Sequence, residues 1–252
     1  MVTTKALVIL SGGQDSTTCL FWAKRQFDEV HAITFDYGQR HRIEIEAAEK
    51  VGQLAKVTSH SFVKVPGILE SCSPLTSNAE LEQYENTQQM ETVIGKRVEL
   101  TFVPMRNTFF FTIAMNHAIA LDCRNLITGI CQEDNANYPD CTENFREAFE
   151  FMANLSLGIN SKYSDFAYKL LAPLMHRDKG DTVQLMFNLG QDAWDALAYT
   201  HTSYDGKYPP TDMNHANVLS ESGFEKAGLP DPLVLRAVSE GLMELPLTNN
   251  YK

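Results

Sequence analysis

Short apolar runs and segments of helical periodicity alternate along the chain. The apolar runs predict strands over 6–10, 30–35, 57–65, 98–103 and 125–130. Apolar residues at helical spacing predict one helix after residue 16, and further helices over 43–55 and 109–121. The β-α-β-α-β order at the start favours an α/β fold with a doubly wound, mostly parallel sheet.

The remaining pattern divides into a polar insert and a helical end. Segment 66–99 is polar and irregular, which is typical of a lid, a partner surface or a disordered segment. Helices are predicted over 143–155, around 185–189, and near 220–227 and 231–240, with a loop over 201–210. We therefore expect a catalytic domain over 1–200 and a C-terminal extension over 201–252. The charged face of helix 43–55, with Glu44, Glu46 and Glu49, is expected to be solvated.

The charge balance narrows the classes of partner. The 252 residues include 21 Lys and Arg against 32 Asp and Glu, a net charge of −11. This speaks against an extended nucleic-acid surface, although a local basic pocket for phosphates is compatible with it. With no apolar segment near the roughly 20 residues of a membrane span and no signal-peptide pattern, we expect a cytoplasmic protein without a membrane partner. The five cysteines form no Cys-x-x-Cys pair and are expected to be reduced.

The sequence Ser-Gly-Gly-Gln-Asp-Ser at 11–16 directly follows the first strand. Its glycines let the backbone approach a phosphate, and its hydroxyls and the following helix N-terminus favour an anion. Asp15 would repel phosphates unless a divalent cation lies between, so Mg²⁺ is expected there. The candidate phosphate ligands are Ser11, Gly12, Gly13, Asp15, Ser16 and Thr17. The alternative is an ordinary turn with a helix cap.

The position of the loop favours a ligand site, because open parallel sheets bind ligands at the carboxyl ends of their strands. The loop is neither a Walker loop nor a Gly-x-Gly-x-x-Gly fingerprint. It resembles the pyrophosphatase loop of the N-type ATP pyrophosphatases, which split ATP into AMP and pyrophosphate. That resemblance implies a Rossmann-like fold of the adenine nucleotide alpha-hydrolase type, and it is silent about the substrate.

Three further polar positions are candidates for ligand contact. The second strand ends in the nucleotide-site candidates Asp36, Tyr37, Gln39 and Arg40. Arg106 precedes a helix that Asn107 or Thr108 can cap, and Lys179 lies where a helix starts, where an anionic ligand would explain a cation. Asp140 and Thr142 can cap the helix over 143–155. The alternatives are a turn with a solvated charge pair and surface cations.

Five motifs in order resemble the 7-cyano-7-deazaguanine synthase (QueC) family across nearly the whole chain. They are the loop at 11–16, Phe-Asp-Tyr-Gly-Gln-Arg-His at 35–41, Val-Pro-x-Arg-Asn-Thr at 103–108, Tyr-Pro-Asp-Cys at 138–141, and Gly-Phe at 223–224 with Ala-Gly-Leu-Pro-Asp-Pro-Leu at 227–233. The resemblance implies that ATP and Mg²⁺ activate the carboxylate of 7-carboxy-7-deazaguanine, that ammonia displaces AMP, and that a second ATP yields a nitrile. It also implies a homodimer.

The resemblance also implies roles for individual residues. Asp15, Arg106 and Lys179 would serve catalysis, the latter two by neutralising phosphate charge. The deazaguanine pocket would be lined by Asp134, Tyr138 and Asp140.

One family feature is missing from this sequence. The family carries a zinc site of four cysteines near its C-terminus, and the corresponding positions here are Ser203, Thr211, Asn214 and Asn217. We therefore expect no zinc, and we expect these four side chains to hydrogen-bond to one another. A different metal site built from His201, Asp212 and His215 is the less favoured alternative.

The missing cysteines leave the final acceptor open. One alternative is a zinc-free enzyme that stops at the amide, or that conjugates the activated deazaguanine to an amine of a partner protein, as in synthase-like components of some bacterial antiphage systems. A nucleotide-binding module without turnover is the other alternative, and Asp15 and the intact loop argue against it.

Overall fold

The sheet carries the fold. The computed structural model describes residues 3–38, 42–65, 73–76, 80–133, 137–161 and 164–252. Within these ranges the strands are β1 (Lys5–Ile9), β2 (Glu29–Asp36), β3 (Ser59–Lys64), β4 (Asn125–Ile127) and β5 (Lys169–Leu171). All pair in parallel, in the order β3-β2-β1-β4-β5. The predicted parallel α/β fold is confirmed, and its strand order reverses between β1 and β4.

Helices cover both faces of this sheet. They are α1 (Gln14–Gln26), α2 (Ile43–Leu54), α3 (Thr87–Ile94), α4 (Arg106–Ala120), α5 (Glu143–Ser156), α6 (Lys179–Asn188), α7 (Gln191–Ala196), α8 (His215–Ala227) and α9 (Pro232–Ser239). Alternate residues of β1 point to opposite cores, with Val8 among residues of α1, α2, α6 and α7 and Leu7 among residues of α4 and α5. This is the predicted doubly wound arrangement.

The strand predicted over 98–103 is wrong. The segment forms turns, because local hydrogen bonds occupy the groups that a strand would need. Glu99 is 2% exposed, and its carboxylate accepts from the Thr101 backbone N–H at 2.6 Å and from the Thr101 hydroxyl. Helix α4 then begins at Arg106, after Met105 at φ 65°, so neither Asn107 nor Thr108 is its cap.

The polar insert contains a helix that the periodicity did not reveal. Helix α3 begins after Asn86, whose side chain accepts a hydrogen bond from the Gln89 N–H at 2.9 Å. Its buried residues Met90 and Ile94 pack with Val218 of α8. Helix α3 of the insert is therefore docked on α8.

Close packing of α6 on α8 fixes the start of α6. A Cβ on Gly223 would lie 2.8 Å from Lys179 Cβ, and one on Gly180 would lie 2.9 Å from the Lys226 side chain. The extension over 201–252 also reaches the first loop, because the His201 N–H donates to Gly12 O at 2.9 Å. The boundary at residue 200 stays a prediction. Within the described ranges, no helix has the length and apolar character needed to cross a membrane.

Candidate active site

A cavity of about 750 Å³ opens at the carboxyl ends of β1, β2 and β4. This is the edge of the sheet at which the strand order reverses, where α/β folds place their ligands. Its wall combines residues of the first loop with one side chain from each of five distant segments, which are Tyr37, Arg106, Tyr138, Lys179 and Tyr204. The structure thus brings together most of the predicted site.

The first loop is braced by its own hydroxyls. Ser16 Oγ accepts from the Ser11 N–H at 3.2 Å and lies 3.0 Å from Ser11 Oγ, while it donates to Gly13 O at 3.1 Å. Helix α1 begins at Gln14, directly after Gly13. The loop therefore presents hydroxyls and a helix N-terminus to the cavity, which suits an anionic ligand.

Gly12 joins this loop to α2. Its φ is +91°, and a Cβ there would lie 2.4 Å from Glu44 O and 2.6 Å from Ala48 N. Both the backbone conformation and the contact exclude a larger residue. Of the predicted phosphate ligands, Ser11, Gly13, Asp15 and Ser16 line the cavity.

Asp15 and Lys179 form an ion pair beside the loop. Lys179 Nζ lies 2.5 Å from Asp15 Oδ2, and the two side chains are 13% and 26% exposed. Lys179 is the first residue of α6, as predicted. A carboxylate on the cavity wall fits a Mg²⁺ ion shared with phosphates, since Mg²⁺ takes few protein carboxylates and the remaining ligands from phosphates and water.

Arg106 lies among phenols. Burial raises the pKa of Tyr37 to about 12, and Arg106 hydrogen-bonds to its hydroxyl. Burial likewise raises the pKa of Tyr204 well above its usual range. Burial alone would lower the pKa of Arg106. Electrostatic interactions with its neighbours outweigh burial and raise that pKa, and these neighbours are Tyr37, Tyr204, Tyr138 and Asp140. At neutral pH Arg106 is therefore a cation surrounded by uncharged phenol hydroxyls.

The predicted substrate residues occupy different places. Tyr138 lines the cavity, hydrogen-bonds to Thr101 and stacks on Phe102 with centroids 5.6 Å apart. Asp140 is 8% exposed and accepts from the Asn107 N–H at 3.4 Å. Its carboxylate therefore meets the start of α4, and burial raises its pKa. Asp134 lies outside the described residues.

The other nucleotide candidates are also dispersed. Asp36 ends β2 and accepts from the Gly38 N–H at 3.4 Å. Thr17 is fully buried in α1. Gln39 and Arg40 lie outside the described residues. Thr142 caps α5 as predicted, accepting from the Phe145 N–H, whereas Asp140 lies in a short 3₁₀ helix ahead of it.

Two features of the site were missed. Glu44 was expected on a solvated face, but the first turn of α2 lies at the ligand edge of the sheet, so Glu44 lines the cavity and burial raises its pKa to about 7. The loop after residue 200 supplies Thr202 and Tyr204, and Thr202 Oγ1 accepts from the Gln14 N–H at 3.2 Å. A polar loop 188 residues away along the chain carries no local signal for this contact.

The predicted polar cluster forms around Asp212. Its Oδ1 accepts from Ser203 Oγ at 3.0 Å, Asn214 Nδ2 at 2.8 Å and Asn217 Nδ2 at 2.7 Å. Thr211 instead contacts Asp205, donating its N–H at 2.7 Å. Within the described ranges no group of three or more His, Cys, Asp or Glu could hold a metal. A carboxylate hub with hydroxyl and amide donors does not fit a thiolate zinc site, so we derive no role for zinc.

We expect Asp212→Ala to lower the free energy of unfolding by about 2–3 kcal/mol, because it removes the common acceptor of a buried cluster. Urea unfolding followed by circular dichroism measures this. Asp192→Ala is the control, since Asp192 is 59% exposed and pairs with Arg25; it should cost less than about 1 kcal/mol. A chelator should leave the wild-type midpoint unchanged, and a lowered midpoint would contradict the zinc-free cluster.

Comparisons with known proteins give the family of this chain. The family model described as queuosine biosynthesis protein QueC matches residues 5–228. A 7-cyano-7-deazaguanine synthase of Gloeobacter violaceus is 44% identical over 91% of this chain and 95% of that protein. One of Laribacter hongkongensis is 43% identical over 92% and 94%. An RNA-bound 4-thiouridine synthetase structure with ATP aligns with TM-score 0.44 and 16% identity, covering 95% of this chain and 53% of that one. The chain belongs to the QueC family.

Proposed function

We propose that this chain is an AMP-forming, ATP-dependent carbon–nitrogen ligase that adenylates 7-carboxy-7-deazaguanine and passes the activated carbonyl to ammonia. The observation that carries the proposal is the Lys179–Asp15 pair beside the first loop, in the same cavity as Arg106. The relatives named 7-cyano-7-deazaguanine synthase support the substrate.

Adenylation of the substrate needs positive charge at the phosphates of ATP and at the substrate carboxylate. In the first step a carboxylate oxygen of the substrate forms a bond to the α-phosphorus of ATP, and the bond to pyrophosphate breaks. Lys179 and the N–H groups of the first loop stabilise the charge that develops on the phosphates. A Mg²⁺ ion held by Asp15 would neutralise further phosphate charge when bound.

Arg106 fits the carboxylate end of the substrate. A guanidinium that stays charged can hold the substrate carboxylate against the α-phosphate. The neighbouring phenols Tyr37, Tyr138 and Tyr204 offer hydroxyl donors and flat rings suited to a bicyclic base. Ammonia then forms the C–N bond as the C–O bond to AMP breaks, which gives an amide. Conversion of the amide to the nitrile needs a second ATP.

Replacing Arg106 by Gln should raise the KM for 7-carboxy-7-deazaguanine by about tenfold or more, because a charge-assisted hydrogen bond contributes about 1.5–3 kcal/mol. The KM for ATP should change much less. Steady-state kinetics with each substrate varied in turn measure this. Arg25→Gln serves as the control, because Arg25 contacts Leu189 O and Asp192 away from the cavity. Equal changes in both KM values would argue against the assigned contact.

A single-turnover assay with ATP and 7-carboxy-7-deazaguanine tests the proposal. We expect one pyrophosphate per adenylated substrate, one AMP released together with the amide when ammonia is added, and nitrile after a second ATP is consumed. ADP in place of AMP, or no turnover, would overturn it.

The lost zinc cysteines favour a second candidate, in which the acceptor is an amine of a partner protein. In that case mass spectrometry shows a protein adduct in place of free nitrile.

A further inference from the structure

A second cavity of about 180 Å³ lies between the start of α1, the loop after residue 200, α8 and α9. Four carboxylates line it, and among its described lining residues there is no Lys or Arg; they are Asp212, Glu221, Glu225 and Asp231. The Asp212 carboxylate is engaged in the polar cluster, and the Asp231 carboxylate accepts from the Leu233 N–H at the start of α9. Burial and the neighbouring Glu225 raise the pKa of Glu221, as expected where negative charge is concentrated.

Gln14 and Thr202 line both this acidic cavity and the active-site cavity. Gln14 is 3% exposed. Its Oε1 accepts from Ser220 Oγ at 3.1 Å, whereas its Nε2 has no hydrogen-bond partner in the part of the chain that the structure describes. A buried donor without an acceptor costs about 1–3 kcal/mol, so this amide is poised for a small ligand that accepts a hydrogen bond.

We propose that the acidic cavity binds ammonium and delivers ammonia to the active site past Gln14. This inference rests on the proposed function. The cavity suits a compact cation that donates hydrogen bonds to carboxylates. Its volume is too small for ATP, and its negative charge disfavours the anionic carboxylated deazaguanine. The anionic substrates and the cationic nitrogen source would then enter through separate cavities.

Asp231 can accept a proton from ammonium, and Gln14 can bind the ammonia that forms. Asp231 caps α9, accepting from the Leu233 N–H at 2.8 Å, and burial raises its pKa to about 7. Ammonium transfers one proton to this carboxylate, which later returns it to solvent. The ammonia that forms has a lone pair that accepts from Gln14 Nε2–H, whereas ammonium has none. Ammonia then attacks the acyl carbon, AMP leaves with the C–O electron pair, and the nitrogen releases one proton.

Two variants test the cavity without touching the phosphate loop. Val234→Phe fills it, because Val234 lines it, whereas Leu235→Phe adds the same ring next in sequence, on the exposed side of α9. Asp231→Asn removes the charge and keeps a helix cap. We expect Val234→Phe and Asp231→Asn to raise the KM for ammonium about tenfold. The ATP–pyrophosphate exchange that depends on the carboxylated substrate, measured without ammonia, should stay at the wild-type rate, and Leu235→Phe should behave as wild type.

A second readout does not need catalysis. Ammonium chloride should raise the wild-type Tm relative to sodium chloride at equal ionic strength, and this difference should vanish in Val234→Phe. An unchanged KM for ammonium in both variants, or no ammonium-specific rise in the wild-type Tm, overturns the proposal. It is also overturned if the ATP–pyrophosphate exchange rate of the two variants falls as much as their ammonium-dependent activity. If the wild type shows the ammonium-specific rise but no exchange, the proposed function fails and the ammonium site stands.

Discussion

Replacing Lys179 by Met lowers the rate of AMP formation by about 10²–10³-fold, the usual effect of removing a group that stabilises charge developing in the transition state. Lys179 Nζ is held 2.5 Å from Asp15 on the cavity wall, and its side chain is 13% exposed. Water therefore cannot readily replace its charge. Methionine keeps the length and packing of the side chain, so the loss is chemical. Quenched-flow measurement of AMP at saturating ATP, 7-carboxy-7-deazaguanine and ammonium records it.

Lys226→Met is the matched control for this prediction. Lys226 also lies at the α6–α8 contact and pairs with Asp178 at 2.5 Å, but its side chain is 63% exposed and does not line the cavity. The rate of AMP formation should stay within about twofold of wild type, since an exposed pair contributes about 0–1 kcal/mol. Equal losses in the two variants would show that the lysines act through the stability of α6 and α8.

Replacing Gly12 by Ala destabilises the fold strongly and disrupts the loop. The positive φ costs about 1–2 kcal/mol for a residue with a Cβ, and overpacking adds about 1–3 kcal/mol. The reason is that the Cβ would lie 2.4 Å from a backbone oxygen of α2, which cannot move without displacing the helix. Thermal and denaturant unfolding measure the loss, and a fluorescent ATP analogue should show weakened binding.

Gly158→Ala separates the two causes. Gly158 also has a positive φ, of +75°, but nothing lies within 4 Å of a Cβ there. Its cost should be the backbone contribution alone, about 1–2 kcal/mol. If Gly12→Ala cost no more than Gly158→Ala, the close packing of the loop on α2 would not constrain this residue.

Apolar periodicity and helix-cap chemistry predicted several elements of the fold well. The runs around β1, β2 and β3 and the periodic helix α2 lie within a few residues of their predicted places. For β1, β2 and α2 the reason is that each buries apolar residues at the spacing of its own secondary structure. The cap at Thr142 and the position of Lys179 at the start of α6 were also predicted, since both follow from chemistry within a few residues.

Contacts distant in sequence limited the rest. Segment 98–103 has strand composition, but the buried Glu99 takes the backbone groups that a strand would pair. Glu44 follows helix periodicity as a surface residue, and the strand order that carries it to the cavity is a property of the whole sheet. The donors Ser203, Asn214 and Asn217 were predicted to share hydrogen bonds, whereas their acceptor Asp212 was identified by the structure.

The proposed function requires that the carboxylate of 7-carboxy-7-deazaguanine attacks the α-phosphate of ATP in this cavity. Isotope exchange between labelled pyrophosphate and ATP, measured without ammonia, tests it most directly, because exchange requires a reversible adenylate. We predict exchange that depends on the carboxylated deazaguanine and is lost in Lys179→Met. Exchange that proceeds without the carboxylate, or its absence in the wild type with both substrates present, would contradict the account.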